Sequence, residues 1–318
     1  MSKKFDVSEQ LLLEQNPAVL DALLADKTTN RNIIWGTDDY SYLGECYAAD
    51  QQILVSSITG FNAGVIQPRI AKSHEQRGTR TKEKAEVFTP AWLCNAQNNL
   101  VDHAWFGSEH VFNTELDKGW KTNKQKIIFP QTKNKDWKHY VDERRLEIAC
   151  GEAPYLVSRY DATTGNLIPL QDRIGLLDRK LRVVNENTDT ESEWLKWAER
   201  AVQSIYGFDF QGDNLLIARE NVLYTYVDYR ESFLSSPVPP KELLKIARIV
   251  SWNLWQMDAL TYTIPYEEVK DEFAQVSFFD LMSPDQVYEN DDKAAFCLIK
   301  DWRAKKVIEF RSLLEETR

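Results

Sequence analysis

The feature that most constrains the fold is a short apolar run that breaks at a small-residue turn and then resumes. Residues 146–156 read LEIACGEAPYL, with Gly151 at the centre of the turn. A glycine lets the backbone approach a ligand, and the amides at the start of a following helix face that ligand. The pattern predicts a strand at 145–150, a turn suited to a nucleotide-like cofactor and a helix start at 154–160. An ordinary strand, turn and helix is the alternative for this stretch alone.

Three other segments stand in a fixed order around this turn. Residues 85–93 read AEVFTPAWL and precede it, whereas residues 205–209 (IYGFD) and 253–260 (NLWQMDAL) follow it. With these segments the chain resembles, over roughly residues 85–260, the amino-methyltransferase subunits of restriction–modification systems. These are adenine-N6 DNA methylases that use S-adenosylmethionine. Family members carry a Phe/Tyr-Thr-Pro element, then an Asp-Pro-Ala-Cys-Gly-Ser-Gly loop, then acidic residues that end the second and third strands.

The resemblance implies an α/β fold: a Rossmann-like methyltransferase sheet with helices on both faces. We expect this domain to cover residues 85–318, with an insertion at about 163–187 that forms a lid or a partner surface. Strands are expected near 145–150, 204–209 and 250–257 as neighbours in one parallel sheet.

The ends of the chain have patterns of their own. Residues 1–84 predict an α+β extension with a basic loop: a helix pair broken at Asn16-Pro17, then a β segment over 40–61. Thr89 is expected to cap a helix that has Pro90 as its first residue and Leu100 on its buried face. Residues 107–140 are polar and predict loops with short helices. The tail predicts a β-hairpin built from 295–299 and 307–310.

By the resemblance, one group of residues would bind the cofactor. The Thr-Pro element would line its methionine part, the small-residue loop would approach it through backbone, and the acidic residues would contact its ribose and adenine. The residues concerned are Phe88, Thr89, Pro90, Glu147, Ala149, Cys150, Gly151, Asp209 and Asp258. Glu147 stands where the family usually has Asp, and this loop keeps a single glycine.

Two of these residues also have simpler structural interpretations. Asp209 closes a strand, where a carboxylate can accept hydrogen bonds from both ribose hydroxyls, but it can equally cap the next helix. Asp258 would accept a hydrogen bond from the adenine amino group, or it is a surface turn aspartate. A helix cap is likewise the simple interpretation of Thr89-Pro90.

The family's target-base element, Asn/Asp-Pro-Pro-Tyr/Phe, occurs nowhere in the chain. The nearest strings are TIPY at 263–266 and SPDQ at 283–286, and neither places an amide or carboxylate beside two prolines. The tail ends about where a family member would continue into its fourth strand and this loop. We therefore expect either a second protein subunit that supplies the loop or a protein that no longer methylates.

Charge bears on nucleic-acid binding. The net charge of −10 argues against a protein coated in positive potential. Cations nevertheless concentrate before the Thr-Pro element, where they form either a solvated loop or a rim that faces DNA phosphates. These cations are Arg69, Lys72, Arg77, Arg80, Lys82 and Lys84. A second, lysine-rich stretch runs from Lys118 to Lys138, with the same two interpretations.

The four cysteines and four histidines lack metal-ligand spacing, so we expect neither a metal site nor a disulfide framework. No apolar run approaches the ~20 residues of a membrane span, and no signal-type segment follows Met1; the expected location is the cytoplasm. Three functions remain open. They are a methyltransferase subunit active with a partner, a non-catalytic interaction or scaffold protein that keeps the fold, and, with little support, a nuclease-like defence component.

Overall fold

A computed structural model describes residues 8–72, 89–267 and 296–315. Its helices and strands, numbered in chain order, are as follows. The helices are α1 (Glu9–Gln15), α2 (Pro17–Leu24), α3 (Val55–Ile58), α4 (Ala91–Phe106), α5 (Trp137–Asp142), α6 (Leu176–Asn187), α7 (Glu191–Gln203), α8 (Gly212–Leu234), α9 (Pro240–Asn253) and α10 (Ser312–Glu315). The strands are β1 (Asn113–Leu116), β2 (Gly119–Thr122), β3 (Arg145–Ile148), β4 (Ile205–Asp209), β5 (Leu254–Gln256), β6 (Leu298–Asp301) and β7 (Lys306–Glu309).

A three-stranded parallel sheet in the order β3-β4-β5 lies at the centre of the fold. The three strands are the expected neighbours, which confirms that part of the prediction. With this parallel sheet, two antiparallel hairpins and many helices, the described chain is a mixed helix-and-sheet protein, consistent with the α/β class. Gly207 in β4 permits their close approach, because a Cβ there would lie 3.0 Å from Leu254 and 3.1 Å from Cys150. The third strand is shorter than expected, because the helical repeat of buried residues in α9 continues as far as Asn253.

Helices pack around this sheet. The 23-residue α8 is buried on most of its sides and contacts β4, β5 and the neighbouring helices. Its Arg219 is fully buried, and its guanidinium donates to the carbonyls of Leu23 and Leu254. Burial lowers the pKa of Arg219 to about 10, although nearby Asp26 opposes the shift. One arginine thus joins the N-terminal helices to the end of α9 and the start of β5.

The N-terminal region keeps the expected helix pair, with Asn16 between α1 and α2. The β segment expected over 40–61 is wrong. This stretch forms 3-10 turns and α3, and only an isolated bridge joins Ile34 to Gln52. The rings of Tyr40 and Tyr47 pack on the buried Trp35, so the chain wraps around one indole instead of extending.

Helix α4 starts one residue later than expected. Pro90 is its N-cap, and the carboxylate of Asp161 accepts the Ala91 amide at 2.8 Å in place of a threonine cap. Its buried face includes three polar side chains, whereas Leu100, expected in the core, is 71% exposed. The buried polar residues of this face are Asn95, Asn98 and Asp102.

A buried network receives these polar side chains. Arg179 of α6 donates to Asp102 at 2.5 Å and to Asn95 at 2.9 Å, and the Tyr140 hydroxyl donates to Asp102 at 2.9 Å. Buried polar groups need such partners, because an unsatisfied one costs about 1–3 kcal/mol. The partners come from distant parts of the chain, so the helix buries polar side chains that its own sequence marks as exposed.

Four other segments differ from or agree with the predicted elements. Where loops with short helices were expected over 107–140, β1 and β2 form an antiparallel hairpin that precedes α5. Residues 154–160 form turns, so the helix expected there is wrong. In the predicted insertion 163–187, α6 contributes buried residues to the main core. The C-terminal hairpin of β6 and β7 is confirmed, and it packs on the central sheet through Phe310 against Phe208 and Trp255.

Candidate functional site

The candidate site lies where the parallel strands β3, β4 and β5 end. The chain leaves β3 through a turn in which every second residue adopts a left-handed conformation: Ala149 (φ 53°), Gly151 (φ 53°) and Ala153 (φ 63°). Two of the three are not glycine, and such a conformation costs an L-residue about 1–2 kcal/mol. The Cys150 amide donates to the Phe208 carbonyl at 2.8 Å, which holds the turn against the end of β4. Strain of this kind concentrates at ligand sites, so the turn merits a functional interpretation.

Asp209 joins this turn to the next strand. Its Oδ2 accepts the Gly151 amide at 2.8 Å, and its Oδ1 accepts the Gln211 amide at 2.9 Å. The side chain is 8% exposed. The structure thus brings together the glycine and the acidic residue that the sequence singled out separately. The N-cap of α8 is Gln211, so Asp209 binds the residue just before this helix and is not itself the helix cap of the simpler interpretation.

Asp258 follows two residues after β5, at the same edge of the sheet. The Met257 amide donates to the Asp209 carbonyl at 3.0 Å, so the segments that carry the two acidic residues lie side by side. The Asp258 carboxylate is partly exposed and accepts the Leu260 amide at 2.8 Å within a tight turn. This contact is the one expected of a turn aspartate.

Glu147 supports the turn from inside the sheet. Its two carboxylate oxygens accept the amides of Tyr155 and Leu156 at 3.3 and 3.1 Å. Burial raises the pKa of Glu147 to about 8, the nearby Asp209 carboxylate raises it further, and the two amides oppose the shift. Glu147 therefore positions the loop after Gly151 and, below about pH 8, does so largely as a neutral acid.

Cys150 supports the turn through its backbone amide and through the buried space that its side chain fills. The thiol is buried, and burial raises its pKa well above the usual value, with the carboxylates of Asp209 and Glu147 acting in the same direction. A thiol in such surroundings stays protonated and is unreactive.

The Thr-Pro element lies against the same loop. The Thr89 side chain lies near that of Tyr155, and Asn98, in the middle of α4, donates to the Tyr155 carbonyl at 3.0 Å. Helix α4 is thereby held against Tyr155, four residues after Gly151. Phe88, expected beside Thr89, lies outside the described residues.

Sequence reasoning missed Glu152, which is almost fully buried. Its Oε1 accepts the Arg69 amide and its Oε2 accepts the Tyr160 hydroxyl, both at 2.6 Å, while Asn221 of α8 donates to its carbonyl. The sequence contained one signal for it, a charged residue placed between the small residues Gly151 and Ala153 of the turn. Glu152 ties the start of the basic segment to the turn.

Of the six cations expected to face DNA, Arg69 and Lys72 lie within the described residues. The Lys72 ammonium is buried and pairs with Asp213 at 2.9 Å, and the Tyr40 hydroxyl also donates to Asp213. Lys72 therefore stabilises the start of α8, and its burial keeps it away from a surface where DNA phosphates could bind. The Arg69 side chain is partly exposed beside the turn. The other four, Arg77, Arg80, Lys82 and Lys84, lie outside the described residues.

Within residues 8–72, 89–267 and 296–315, no three His, Cys, Asp or Glu side chains are grouped so that they could hold a metal ion. In these same ranges no helix has both the length and the apolarity to cross a membrane.

Comparisons with protein-family models, with curated proteins and with solved structures found no match for this chain.

Proposed function

We propose that this chain binds S-adenosylmethionine at the carboxyl ends of β3, β4 and β5 and serves as the cofactor-binding part of an adenine-N6 DNA methyltransferase. The observation that carries the proposal is the contact between the Gly151 amide and the Asp209 carboxylate at 2.8 Å. In open α/β sheets, ligands bind outside the carboxyl ends of the strands, between a small-residue turn and an acidic residue that ends the next strand. The two elements adjoin in this chain.

The contacts around the turn suit that role. Asp209 is oriented by two backbone amides, so its carboxylate is held at the sheet edge with little freedom to rotate. A rigid carboxylate can bind vicinal hydroxyls without the entropy cost of ordering a side chain. Thr89, near Tyr155, would line the methionine part, and Asp258 would accept a hydrogen bond from the adenine amino group.

Methyl transfer needs the target base held in line with the sulfonium. The chain has no Asn-Pro-Pro-Tyr string for this task, so a second protein subunit would supply it. An open surface supports this proposal. Among the described strands β3 lies at the edge of the sheet, and its Leu146 and Ile148 side chains are 43% and 69% exposed beside the candidate site. A partner that carries the target-base loop would cover them.

Titration calorimetry with S-adenosylmethionine tests the cofactor. Asp209→Asn keeps the size of the side chain but removes its charge, and we expect affinity to fall by roughly 10- to 150-fold, the worth of a charge-assisted hydrogen-bond pair. Asp301→Asn is the matched control, because Asp301 also accepts two backbone amides, in the β6–β7 turn. No heat of binding by the unmodified chain at millimolar ligand would refute the assignment.

A methyl-transfer assay separates this function from that of a non-catalytic scaffold. The purified chain should bind the cofactor yet leave duplex DNA unmethylated, because misplacement of the reacting atom by about 1 Å already costs around a hundredfold. Activity should appear when the partner subunit is added and should be lost with Asp209→Asn. A scaffold would stay inactive with every partner that it binds.

A further inference from the structure

A different face of the molecule carries two adjoining grooves of about 450 and 380 Å³. The larger runs between α9 and the β6–β7 hairpin, the smaller lies along α7, and Glu199 lines both. The described residues that line them include six cations and this single carboxylate. The cations are Lys196, Arg200, Lys241, Lys245, Arg248 and Lys300. In a protein of net charge −10 this is a local reversal of sign.

The helix α9 arranges three of these cations in a row. Lys241, Lys245 and Arg248 are exposed and recur at intervals of four and three residues, so they lie on one face over about 10 Å of helix. Lys245 pairs with Glu199 at 2.5 Å. Lys196, Lys241, Arg248 and Lys300 form no ion pair with any other described residue.

Tryptophans stand between the cations. Lys300 Nζ lies 4.3 Å from the Trp302 ring and 5.8 Å from the Trp252 ring. Trp302 is held by a 2.7 Å hydrogen bond from its indole to Asn253. In the second groove, Lys196 lies 5.9 Å from the Trp197 ring. Arg200 pairs with Asp142, so within the described residues the grooves combine four cations without an ion-pair partner with partly exposed aromatic rings.

We infer that these grooves bind single-stranded nucleic acid. The cations would follow the phosphates, and bases would stack on the indoles, a combination that binds single strands with little sequence preference. Duplex DNA fits less well, since its bases are already stacked on one another. An acidic protein segment would match the charge but would make less use of the indoles. The surface is separate from the cofactor site, so the inference does not depend on the proposed function.

Fluorescence anisotropy with a labelled 12-nucleotide single strand tests the inference on the full chain. The triple variant Lys241→Ala/Arg248→Ala/Lys300→Ala should bind at least tenfold more weakly at low salt. Each phosphate contact contributes about 0.7 to the slope of log affinity against log salt for single strands, so the slope should fall by about 2. The comparison variant Lys118→Ala/Lys121→Ala/Lys124→Ala removes the same charge around the β1–β2 hairpin. Of the two interpretations of this lysine-rich stretch, the inference requires the solvated loop, so affinity should change less than twofold.

Two further variants separate stacking and charge. Trp252→Leu should weaken binding by about 5- to 150-fold, the range for one stacked base. Glu199→Gln removes the only carboxylate that lines the described grooves. It should strengthen binding about two- to fivefold, a change that corresponds to the free energy of a partly exposed ion pair. This gain in affinity cannot result from misfolding.

Several results would overturn the inference. These are no binding by the unmodified chain, equal weakening in the hairpin control, or equal competition by duplex DNA. Displacement by polyglutamate as readily as by unlabelled single strand would also overturn it, because the surface would then recognise acidic protein by charge alone.

Discussion

Glu147 should make the stability of this protein fall as the pH rises. Its pKa is raised from an ordinary 4.5 to about 8 in the folded chain, chiefly by burial. A raised carboxyl pKa means that the folded state holds a proton that the unfolded state has lost. The stabilisation is therefore fully present below about pH 4.5 and is lost as the pH rises to about 8. Each tenfold change in the ionisation equilibrium is worth about 1.4 kcal/mol, so the full effect is about 5 kcal/mol.

Glu147→Gln is the matched perturbation, because glutamine has the shape and neutrality of the protonated acid. Other titrating groups, such as the buried Asp178, remain in both proteins and cancel in the difference. The free energy of unfolding of the variant, relative to the unmodified chain, should rise by about 3–4 kcal/mol between pH 5 and pH 8.

Urea unfolding, followed by tryptophan fluorescence at pH 5, 6, 7 and 8, measures this difference. Glu115→Gln, on the exposed face of β1, is the control and should shift stability by less than about 0.5 kcal/mol at each pH. A Glu147→Gln difference that stays constant across this range would show that Glu147 is ionised in the folded protein and that the reasoning fails.

Three other changes test the packing. Arg179→Met should lower the free energy of urea unfolding by about 3–5 kcal/mol, because it leaves the Asp102 carboxylate buried without its cation; a loss below about 1 kcal/mol would contradict this. Gly212→Ala should cost about 1–3 kcal/mol and lower the midpoint of thermal unfolding, since the new Cβ would lie 1.9 Å from the Ile34 carbonyl oxygen; an unchanged midpoint would show that the N-terminal segment yields freely. Ala149→Gly should raise the free energy of urea unfolding by up to about 1 kcal/mol, because Ala149 is exposed and its backbone is left-handed; a lower free energy would count against strain in the turn.

The sequence predicted the structure correctly in those segments whose conformation depends on residues nearby in the chain. The strands of the central sheet carry compact apolar runs that are bounded by turn residues, and the C-terminal hairpin shows two such runs around a polar loop. Asp209 and Gly151 could be singled out for the same reason, because each ends or interrupts a strand. Their direct contact, however, requires the strands to be adjacent, which only the sheet order establishes.

Other predictions were wrong because distant partners decide the outcome. The polar face of α4 is buried since Arg179 and Tyr140 bind it, and these residues lie 38 or more positions away from Asp102. From its basic segment Lys72 is expected to face solvent, yet it is buried because it forms an ion pair with Asp213, 141 positions later. Glu152 was missed because the amide of Arg69, 83 positions earlier, is what binds it. The binding of S-adenosylmethionine and of DNA stays a prediction.

The hydrogen bonds between Ile34 and Gln256 have a consequence for the order in which the protein is completed during synthesis. The two residues are 222 positions apart, and the Gln256 side chain bonds both the amide and the carbonyl of Ile34. At ~5–20 residues per second, the ribosome needs roughly 10–45 s to make the chain between them. Ile34 therefore lacks these two bonds until β5 has emerged, although α2 can already pack on α8 and α9. Chaperones that bind nascent chains have this interval in which to act. Truncation before residue 254 should remove the link between Ile34 and the sheet and leave the contacts of α2 with α8 and α9 in place.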